Sequence, residues 1–331
     1  MSSYIAFDLE GPLSPQDNAY DLMRLFPNGD RVFEVISRYD DLLTLAEKPG
    51  YEPGDTLASI VPFLVLHGIK EADITRLAAE ATLIPGALDL VSGLSTDAWR
   101  VFCITTTYEQ YAMHITHKLA IFAHNVACTA FPLDRMRLAL AKEEADLLRH
   151  AEEAILSLNT ADDAAIRQSL DRFFWEDLPS TVVGRLIGQV KPVGGRRKIT
   201  ALLRFSEKHM APLSGWVVVG DSITDCRMLS EVDKAGGLAI AFNANQYALP
   251  CATMSLASTH LSDLKEVLQV WKKGQRKEVK RLVFEKEKRG GTGDRAHFHW
   301  LAERDKSHLD DVLQVHKRLR QAVRQSAGKL G

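Results

Sequence analysis

The sequence predicts an α/β protein with a doubly wound, mainly parallel, Rossmann-like sheet and a helical cap inserted after the first strand. Short apolar runs, typical of buried parallel strands, alternate with longer segments of helical periodicity. Several of these runs end at polar residues, and ligands of open parallel sheets bind beyond the carboxyl ends of the strands. The predicted strands are residues 4–9, 99–105, 126–130, 216–219 and 238–242.

The first two predicted strands are separated by almost ninety residues with helical patterning. Such a segment is too long for a loop, so we predict a helical cap at 14–83 in a core formed by 1–13 and 84–265. The Leu- and Ala-rich stretch at about 133–180 predicts a second helical insertion. Residues 266–331 predict a basic helical extension, and Gly290, Gly291 and Gly293 predict a flexible break between two tail helices.

The composition is that of a soluble globular protein. The chain has 331 residues, of which 46% are hydrophobic and 25% charged. Its apolar runs are shorter than the roughly 18 residues that a membrane helix needs, and a strand predicted from residue 4 leaves no room for a signal peptide. The four cysteines, Cys103, Cys128, Cys226 and Cys251, lack CxxC spacing, and two fall in predicted strands. We therefore expect reduced cysteines and a cytoplasmic protein.

Charge is unevenly distributed along the chain, although the net charge is only −2. From Trp271 onward there are 17 Lys and Arg against 8 Asp and Glu. A basic tail can bind nucleic acid or an acidic partner, but acidic residues are mixed into this one, which favours a solvated helical face. We predict no nucleic-acid and no membrane partner. The second insertion and the tail remain candidate surfaces for a homodimer or a protein partner.

Asp8 and Glu10 follow the first predicted strand, and Gly11 permits the chain to turn there. Two carboxylates in this position can divide labour, one attacking phosphorus and the other transferring the proton of the leaving group. A surface turn with a charged cap would explain the same residues.

Asp221 and Asp225 follow the fourth predicted strand, in the segment Gly220-Asp221-Ser222-Ile223-Thr224-Asp225. Buried acids near Asp8 would repel one another unless a cation neutralised them. Mg²⁺ prefers carboxylate, water and phosphate oxygens, so the sequence predicts a magnesium site. The alternative is an ordinary strand-to-helix turn with an N-cap residue, which explains one acid better than three.

Candidate phosphate-binding residues follow the second predicted strand and open a predicted helix. Thr105 and Thr106 offer hydroxyl donors at the strand end, although β-propensity and helix capping also explain them. Lys198 and Lys191 compete to supply the positive charge. Lys198 lies 23 positions before Asp221 in a predicted first helical turn, and Lys191 lies 30 positions before it, ahead of a proline. We prefer Lys198.

The order of these segments resembles that of the haloacid-dehalogenase-like phosphohydrolases, over roughly residues 4–245, and is closest to the phosphoserine-phosphatase-like branch. Asp8-Leu9-Glu10-Gly11 matches a variant with glutamate in place of the second aspartate, as in the phosphoserine:homoserine phosphotransferase type. The stretch from Glu10 to Ala19 is also similar to an uncharacterised subgroup, some archaeal members of which are labelled as a subunit of an energy-converting hydrogenase.

The resemblance implies a role for each candidate residue. Asp8 would form an aspartyl-phosphate, and Glu10 would protonate the leaving alkoxide and then deprotonate water. Mg²⁺ would be bound by Asp8, the Glu10 carbonyl and Asp221. Asp225 would orient the lysine or a water on the metal, and the threonines and lysine would hold the phosphoryl group.

We therefore expect a Mg²⁺-dependent phosphatase or phosphotransferase acting on a small phosphate monoester. Polar residues of the predicted cap, including Asp17 and Arg24, are candidates to contact the substrate. There is an alternative function: the protein keeps the fold but serves as a catalytically weak or inactive assembly or regulatory subunit. Three features suggest it, namely the longer side chain of Glu10, the second insertion and the basic tail.

Overall fold

A computed structural model describes residues 3–289, 296–302 and 306–328, and the described strands form one seven-stranded sheet in the order β3-β2-β1-β4-β5-β6-β7. The first six strands pair in parallel, and β7 is antiparallel to β6. The strands are β1 Ser3–Phe7, β2 Trp99–Tyr108, β3 Val126–Thr129, β4 Trp216–Gly220, β5 Leu238–Phe242, β6 Met254–Ala257 and β7 His297–Trp300. The predicted α/β class with a mainly parallel Rossmann-like sheet is confirmed.

The central strands align their carboxyl ends because β1 pairs with both β2 and β4. Phe7 lies opposite Cys103 on one side and opposite Val219 on the other. The Asp8 amide extends the ladder by donating to the Val219 carbonyl over 2.9 Å. All five residues of β4 are buried, as expected for a central strand covered on both faces. The residues that follow β1 and β4 therefore emerge side by side at one edge of the sheet.

Six α-helices separate β1 from β2, and the first five lie within residues 14–83, the segment predicted as a cap. They are α1 Asn18–Met23, α2 Gly29–Leu45, α3 Thr56–Ser59, α4 Val61–Leu66, α5 Glu71–Glu80 and α6 Ala87–Thr96. Asp17 begins α1 by accepting a hydrogen bond from the Tyr20 amide, which satisfies a free helical donor.

Six more α-helices, besides short 3-10 and π-helical turns, separate β2 from β4. They are α7 Glu109–Lys118, α8 Leu133–Leu138, α9 Lys142–Ser157, α10 Asp163–Arg172, α11 Val182–Ile187 and α12 Arg196–Lys208. Asp162 caps α10 by accepting a hydrogen bond from the Ala165 amide. The segment at about 133–180, predicted as a second helical insertion, contains α8, α9 and α10, and the chain is extended at Ala141 between α8 and α9. These helices pack on the cap: α2 contacts α9 and α10, and α4 contacts α8 and α9.

The C-terminal part of the chain returns to the sheet. Among the described residues, three α-helices follow β4, namely α13 Cys226–Lys234, α14 Leu264–Arg289 and α15 Lys306–Gly328. The sequence does not indicate the strands β6 and β7, because Met-Ser-Leu-Ala and His-Phe-His-Trp are not continuous apolar runs. Leu301, just after β7, and Val312 of α15 are buried in one cluster with Ala244 and Leu249 of the sheet region. The predicted flexible break at residues 290–293 lies outside the described residues.

Two of the four cysteines form a disulfide. Cys103 and Cys128 are free and lie in β2 and β3, as expected, but Cys226 is bonded to Cys251 with their Cα atoms 5.3 Å apart. The expectation of four reduced cysteines was wrong because the start of α13 and the turn before β6 meet in the fold. The cytoplasmic prediction loses this part of its support. None of the described helices combines the length and apolarity required to cross a membrane.

Candidate active site

Asp8 and Lys198 form a buried ion pair at the carboxyl edge of the sheet. Asp8 follows β1, and Lys198 lies in the first turn of α12, with its Nζ atom 2.8 Å from Asp8 Oδ2. The same Nζ lies 2.7 Å from Oδ1 of Asp225. Burial opposes the charged form of Lys198, but the two carboxylates outweigh it, so the pKa of Lys198 lies above its usual value. This lysine is a fixed positive charge between two acids.

Asp221 and Asp225 complete a cluster of three buried acids with Asp8. Carboxylate oxygens from all three lie within 4.8 Å of one another. Oδ2 of Asp225 accepts hydrogen bonds from the amides of Asp221 and Ser222, at 3.0 and 3.1 Å. Asp225 thereby fixes the turn after β4 with one oxygen and contacts Lys198 with the other. The structure brings together the three acids that the sequence indicates.

Burial dominates the electrostatics of the cluster. It raises the pKa of Asp8 to about 8, with Asp225 adding to the rise and Lys198 opposing it. Burial also raises the pKa of Asp221, and the Arg320 guanidinium opposes that rise more strongly than any other group. A buried carboxylate is costly to keep charged, so a bound cation or a positive side chain beside it strongly stabilises its ionised form.

Glu10 lies beside the cluster but points toward the cap. Its Oε1 accepts a hydrogen bond from the Asn18 amide over 2.7 Å. Burial, followed by the charge of Asp17, raises the pKa of Glu10 to about 8, while the bonds from Asn18 and the Thr107 hydroxyl oppose the rise. A carboxyl group with this pKa carries a proton near neutral pH and can donate it.

Gly11 lets the loop after β1 pass directly over Asp221. Its φ is +98°, a conformation that L side chains rarely adopt. A Cβ built on Gly11 would lie 2.3 Å from Cγ of Asp221. The backbone after β1 therefore approaches the Asp221 carboxylate as closely as a residue without a side chain allows.

The other predicted phosphate-binding residues have different surroundings. Thr105 is fully buried, and its hydroxyl bonds to Thr107 over 3.1 Å. The Thr106 hydroxyl donates to the Val193 carbonyl over 3.2 Å. Lys191 is exposed and lines a separate cavity with Cys128 near β3, so Lys198 is the lysine that the fold places at Asp8. β2 continues to Tyr108 with an irregularity after Ile104, and Thr105 thus lies within the strand rather than at its end.

The loop between α2 and α3, residues 46–55, contacts the core close to the acids, and we call it the cap loop. A Cβ on Gly54 would lie 2.8 Å from Cγ2 of Thr106 and 3.2 Å from Cγ2 of Thr224. Glu52 Oε2 accepts from the Arg196 amide over 2.9 Å, at the start of α12. The cap loop therefore bridges strand β2 at Thr106, the start of α12 that carries Lys198, and the turn after β4 that carries Asp225.

Arg320 and Arg324 are site residues that the sequence analysis missed. They lie one turn apart on α15, and Nη1 of Arg320 is 2.8 Å from Oδ2 of Asp221. Burial, followed by the neighbouring charge of Arg320, lowers the pKa of Arg324, and the charges of Asp221, Asp17 and Glu10 oppose this fall. No local signal distinguishes these two among the basic residues of the tail, because their position depends on the path of the chain through β7.

A cavity of about 730 Å³ lies between the cap and α15. Its lining includes Gln16, Asp17, Tyr20, Asp21, Arg24, Arg76 and Arg324. Charged groups of both signs thus face a space large enough for a small molecule. Two of the cap residues that the sequence offered as substrate contacts, Asp17 and Arg24, are among them.

The acid cluster fits a divalent cation. Three carboxylates offer converging oxygens, which are the ligands that Mg²⁺ prefers. The glycine at position 11 keeps side-chain atoms away from Asp221 and leaves the loop backbone beside it. Asp8 and Asp221 are the residues whose raised pKa values a cation would most directly lower.

The sequence matches no family model, but several solved structures are similar. Gene product AF1437 from Archaeoglobus fulgidus is 27% identical with a TM-score of 0.85, over 100% of this chain and 99% of that chain. A phospho-aspartyl intermediate analogue of phosphoserine phosphatase is 15% identical with a TM-score of 0.50, over 80% and 98%. This chain shares its fold with that phosphoserine phosphatase. A HAD family hydrolase from Salmonella enterica is 11% identical with a TM-score of 0.46, over 74% and 64%.

The similarity to AF1437 extends over the whole chain, including the C-terminal strand and helix. The similarity to phosphoserine phosphatase is at low identity and concerns the fold. The names of these three structures do not mention a hydrogenase, so the subunit label suggested by the N-terminal motif stays a prediction.

Proposed function

We propose that this protein is a haloacid-dehalogenase-like phosphoric monoester hydrolase or phosphotransferase that acts on a small phosphate monoester through an aspartyl-phosphate at Asp8. One observation carries the proposal: a buried carboxylate at the end of β1 shares a buried lysine with a second acid and converges with a third. The solved structure of a phospho-aspartyl analogue with the same fold supports the same chemistry.

Asp8 would attack phosphorus with one carboxylate oxygen, and the leaving alkoxide would depart on the opposite side. Lys198 would stay beside Asp8 and neutralise charge on the phosphoryl oxygens, because its ammonium already contacts that carboxylate over 2.8 Å. Asp225 would hold the lysine in place through its 2.7 Å contact. In a second step, water or another alcohol would attack the phosphorus and release Asp8.

Glu10 would transfer the proton. Its raised pKa keeps the carboxyl protonated near neutral pH, so it can donate to the leaving oxygen and later accept from water. The hydrogen bond from the Asn18 amide fixes one carboxyl oxygen and so orients the group. The extra methylene of glutamate relative to aspartate moves this proton by about 1 Å, which is enough to affect rate.

Asp8, Asp221 and the Glu10 carbonyl would hold Mg²⁺, with Asp225 acting through Lys198 or a water. The cation would supply positive charge next to the phosphoryl oxygens and so stabilise the charge of the transition state. Removing the divalent cation with a chelator should therefore abolish turnover, and adding Mg²⁺ should restore it.

The cap would close over the site and exclude bulk water. The cap loop already lies against Thr106 of β2 and against Thr224 in the turn after β4. The charged cavity between the cap and α15 would take the part of the substrate that does not react. The mixture of acidic and basic lining residues favours a polar, charged metabolite over an apolar one.

The test is turnover of a panel of small phosphate esters with Mg²⁺ by the wild-type protein and by Asp8→Asn. We expect the variant to lose activity by roughly a thousandfold or more, because a nucleophile has no substitute. It should still fold, because Lys198 keeps its contact with Asp225. A matched control is Asp89→Asn, which removes one carboxylate from the first turn of α6, away from the site.

Turnover that persists in Asp8→Asn would contradict the proposal. A wild-type protein with no turnover on any ester and no phosphate release with added alcohols would favour the alternative function, an assembly or regulatory subunit that keeps the fold.

A further inference from the structure

Arg320 is held firmly against the acid cluster. Its Nη1 contacts Oδ2 of Asp221 over 2.8 Å and also lies 3.3 Å from the Asp221 carbonyl and 3.4 Å from the Asn243 carbonyl. The side chain of Asp221 is 3% exposed and that of Arg320 is 22% exposed. An ion pair with one fully buried partner is screened much less than one at the surface.

The charges of the cluster make this contact significant. Asp8, Asp221 and Asp225 supply three negative charges when ionised, and Lys198 neutralises part of them through two contacts. Arg320 neutralises a further part of this charge through its contact with Asp221. Among the described contacts, Lys198 has none with Asp221. Each added positive charge weakens the attraction of the cluster for a divalent cation.

Arg320 cannot give way to a cation by becoming neutral, because the guanidinium group of arginine is always charged in proteins. A cation bound to Asp221 would lie within a few ångströms of the guanidinium, and the two positive groups would repel each other. Arg320 must then move from the carboxylate, or the cation must bind against that repulsion. Both routes lower the affinity for the cation.

We propose that Arg320 competes with the divalent cation for Asp221, so that helix α15 sets how tightly the active site binds Mg²⁺. The inference rests on the cation site of the proposed function. Because binding linkage is reciprocal, a cation that displaces Arg320 must also weaken the docking of α15 to the same extent. The C-terminal helix is thus coupled to the occupancy of the site.

The test is calorimetric titration of the full-length, chelator-treated protein with Mg²⁺ alone, without substrate. Arg320→Gln should bind Mg²⁺ about tenfold or more tightly than the wild type, since one unit charge near a buried site is removed. Lys317→Gln is the matched control, because it removes one positive charge from an exposed position of the same helix, and it should bind like the wild type. Arg320→Lys keeps the charge and should also stay close to the wild type.

A second measurement uses the wild-type protein and therefore does not depend on a variant that folds. Amide hydrogen exchange in residues 312–325 should become faster when Mg²⁺ is added, and exchange in β4 should not. Unchanged or slower exchange in α15 would overturn the reciprocal coupling.

The outcomes separate this inference from the proposed function. Equal Mg²⁺ affinity in the wild type and Arg320→Gln, or weaker affinity in the variant, would overturn the competition and leave the cation site in place. No Mg²⁺ binding by either protein would overturn both. Mg²⁺ binding by Arg320→Gln but not by the wild type would support both the competition and the cation site.

Discussion

At the scale of single residues, the site depends on how its buried charges are paired. Lys198 contacts Asp8 and Asp225, and Arg320 contacts Asp221. Charges taken out of water are costly, and a partner that is removed leaves the other charge uncompensated. The arrangement therefore links the stability of the fold to the residues that we propose for catalysis.

Lys198→Met should destabilise the protein by about 3–5 kcal/mol, because two buried carboxylates lose their shared cation. Thermal or urea unfolding measures this loss. Adding Asp225→Asn to Lys198→Met should recover part of the stability, since one of the uncompensated charges is removed. A single variant as stable as the wild type would show that Lys198 is not buried between the two acids.

His316 predicts a loss of stability in acid. This histidine is fully buried in α15, and its Nδ1 accepts a hydrogen bond from the Ala244 amide. Burial, followed by nearby histidines, lowers its pKa to about 3. Because the unfolded chain binds the proton more readily, this group stabilises the fold fully above its unfolded pKa of about 6.5, and the contribution falls as the pH decreases toward 3.

The wild type should lose roughly 2 kcal/mol of unfolding free energy from this group between pH 7 and pH 5. His316→Asn keeps an acceptor near the Ala244 amide but does not titrate, so its stability should fall less over the same range. Urea unfolding of both proteins at the two pH values measures the difference. Parallel losses in the two proteins would contradict the role of His316.

At the scale of elements, the site is made where strand ends, a helix start and the cap loop meet. The cap loop packs on the start of α12 through Glu52, and on strand β2 and the turn after β4 through Gly54. Gly50 lies in the same loop with φ of +81° but has no neighbour within 4 Å of a built Cβ. Both glycines have a positive φ, but only Gly54 has neighbours that an added Cβ atom would meet.

Gly50→Ala and Gly54→Ala form a matched pair for this contact. Each should cost roughly 1–2 kcal/mol of stability, because alanine is strained at positive φ. Gly54→Ala alone should also lower kcat/KM by about tenfold or more, since it pushes the loop away from Thr106 and misplaces the cap by a fraction of an ångström. Equal activity in the two variants would show that this contact does not affect catalysis.

Some of these elements could be predicted from the sequence and others could not. The strands that carry Asp8 and Asp221 are continuous apolar runs, and such runs indicate central parallel strands. The strand β7 has the sequence His-Phe-His-Trp, which lacks that signature, and it exists because it pairs with β6. The end of β2 was placed at Thr105 because threonines favour both strands and caps, whereas the strand continues to Tyr108.

At the scale of the whole molecule, the C-terminal segment belongs to the same packed body as the sheet. Val312 of α15 is 1% exposed and lies in a hydrophobic cluster with Ala244 and Leu249. The sequence indicated a basic helical extension because its charge is conspicuous and its packing contacts are distant in sequence. For the same reason Arg320 could not be assigned to the site before the path through β7 was known.

Val312→Ala should lower the stability of the main unfolding transition by roughly 2 kcal/mol, because it removes two buried methyl groups and leaves a cavity. Gln314→Ala, at an exposed position of the same helix, should have little effect. Calorimetry distinguishes the possibilities: a separate low-temperature transition for the tail, with the main transition unchanged, would contradict the packing of α15 on the sheet.

The central claim is that Asp8 reacts with phosphorus beside a cation held by the other acids. A crystal structure of the protein with Mg²⁺ and fluoroberyllate, a phosphoryl mimic, tests it most directly. We predict beryllium bonded to a carboxylate oxygen of Asp8, a fluoride next to Lys198, and Mg²⁺ in contact with Asp221. Fluoroberyllate bound elsewhere, or an Asp8 carboxylate that stays unmodified at saturating fluoroberyllate, would contradict the account.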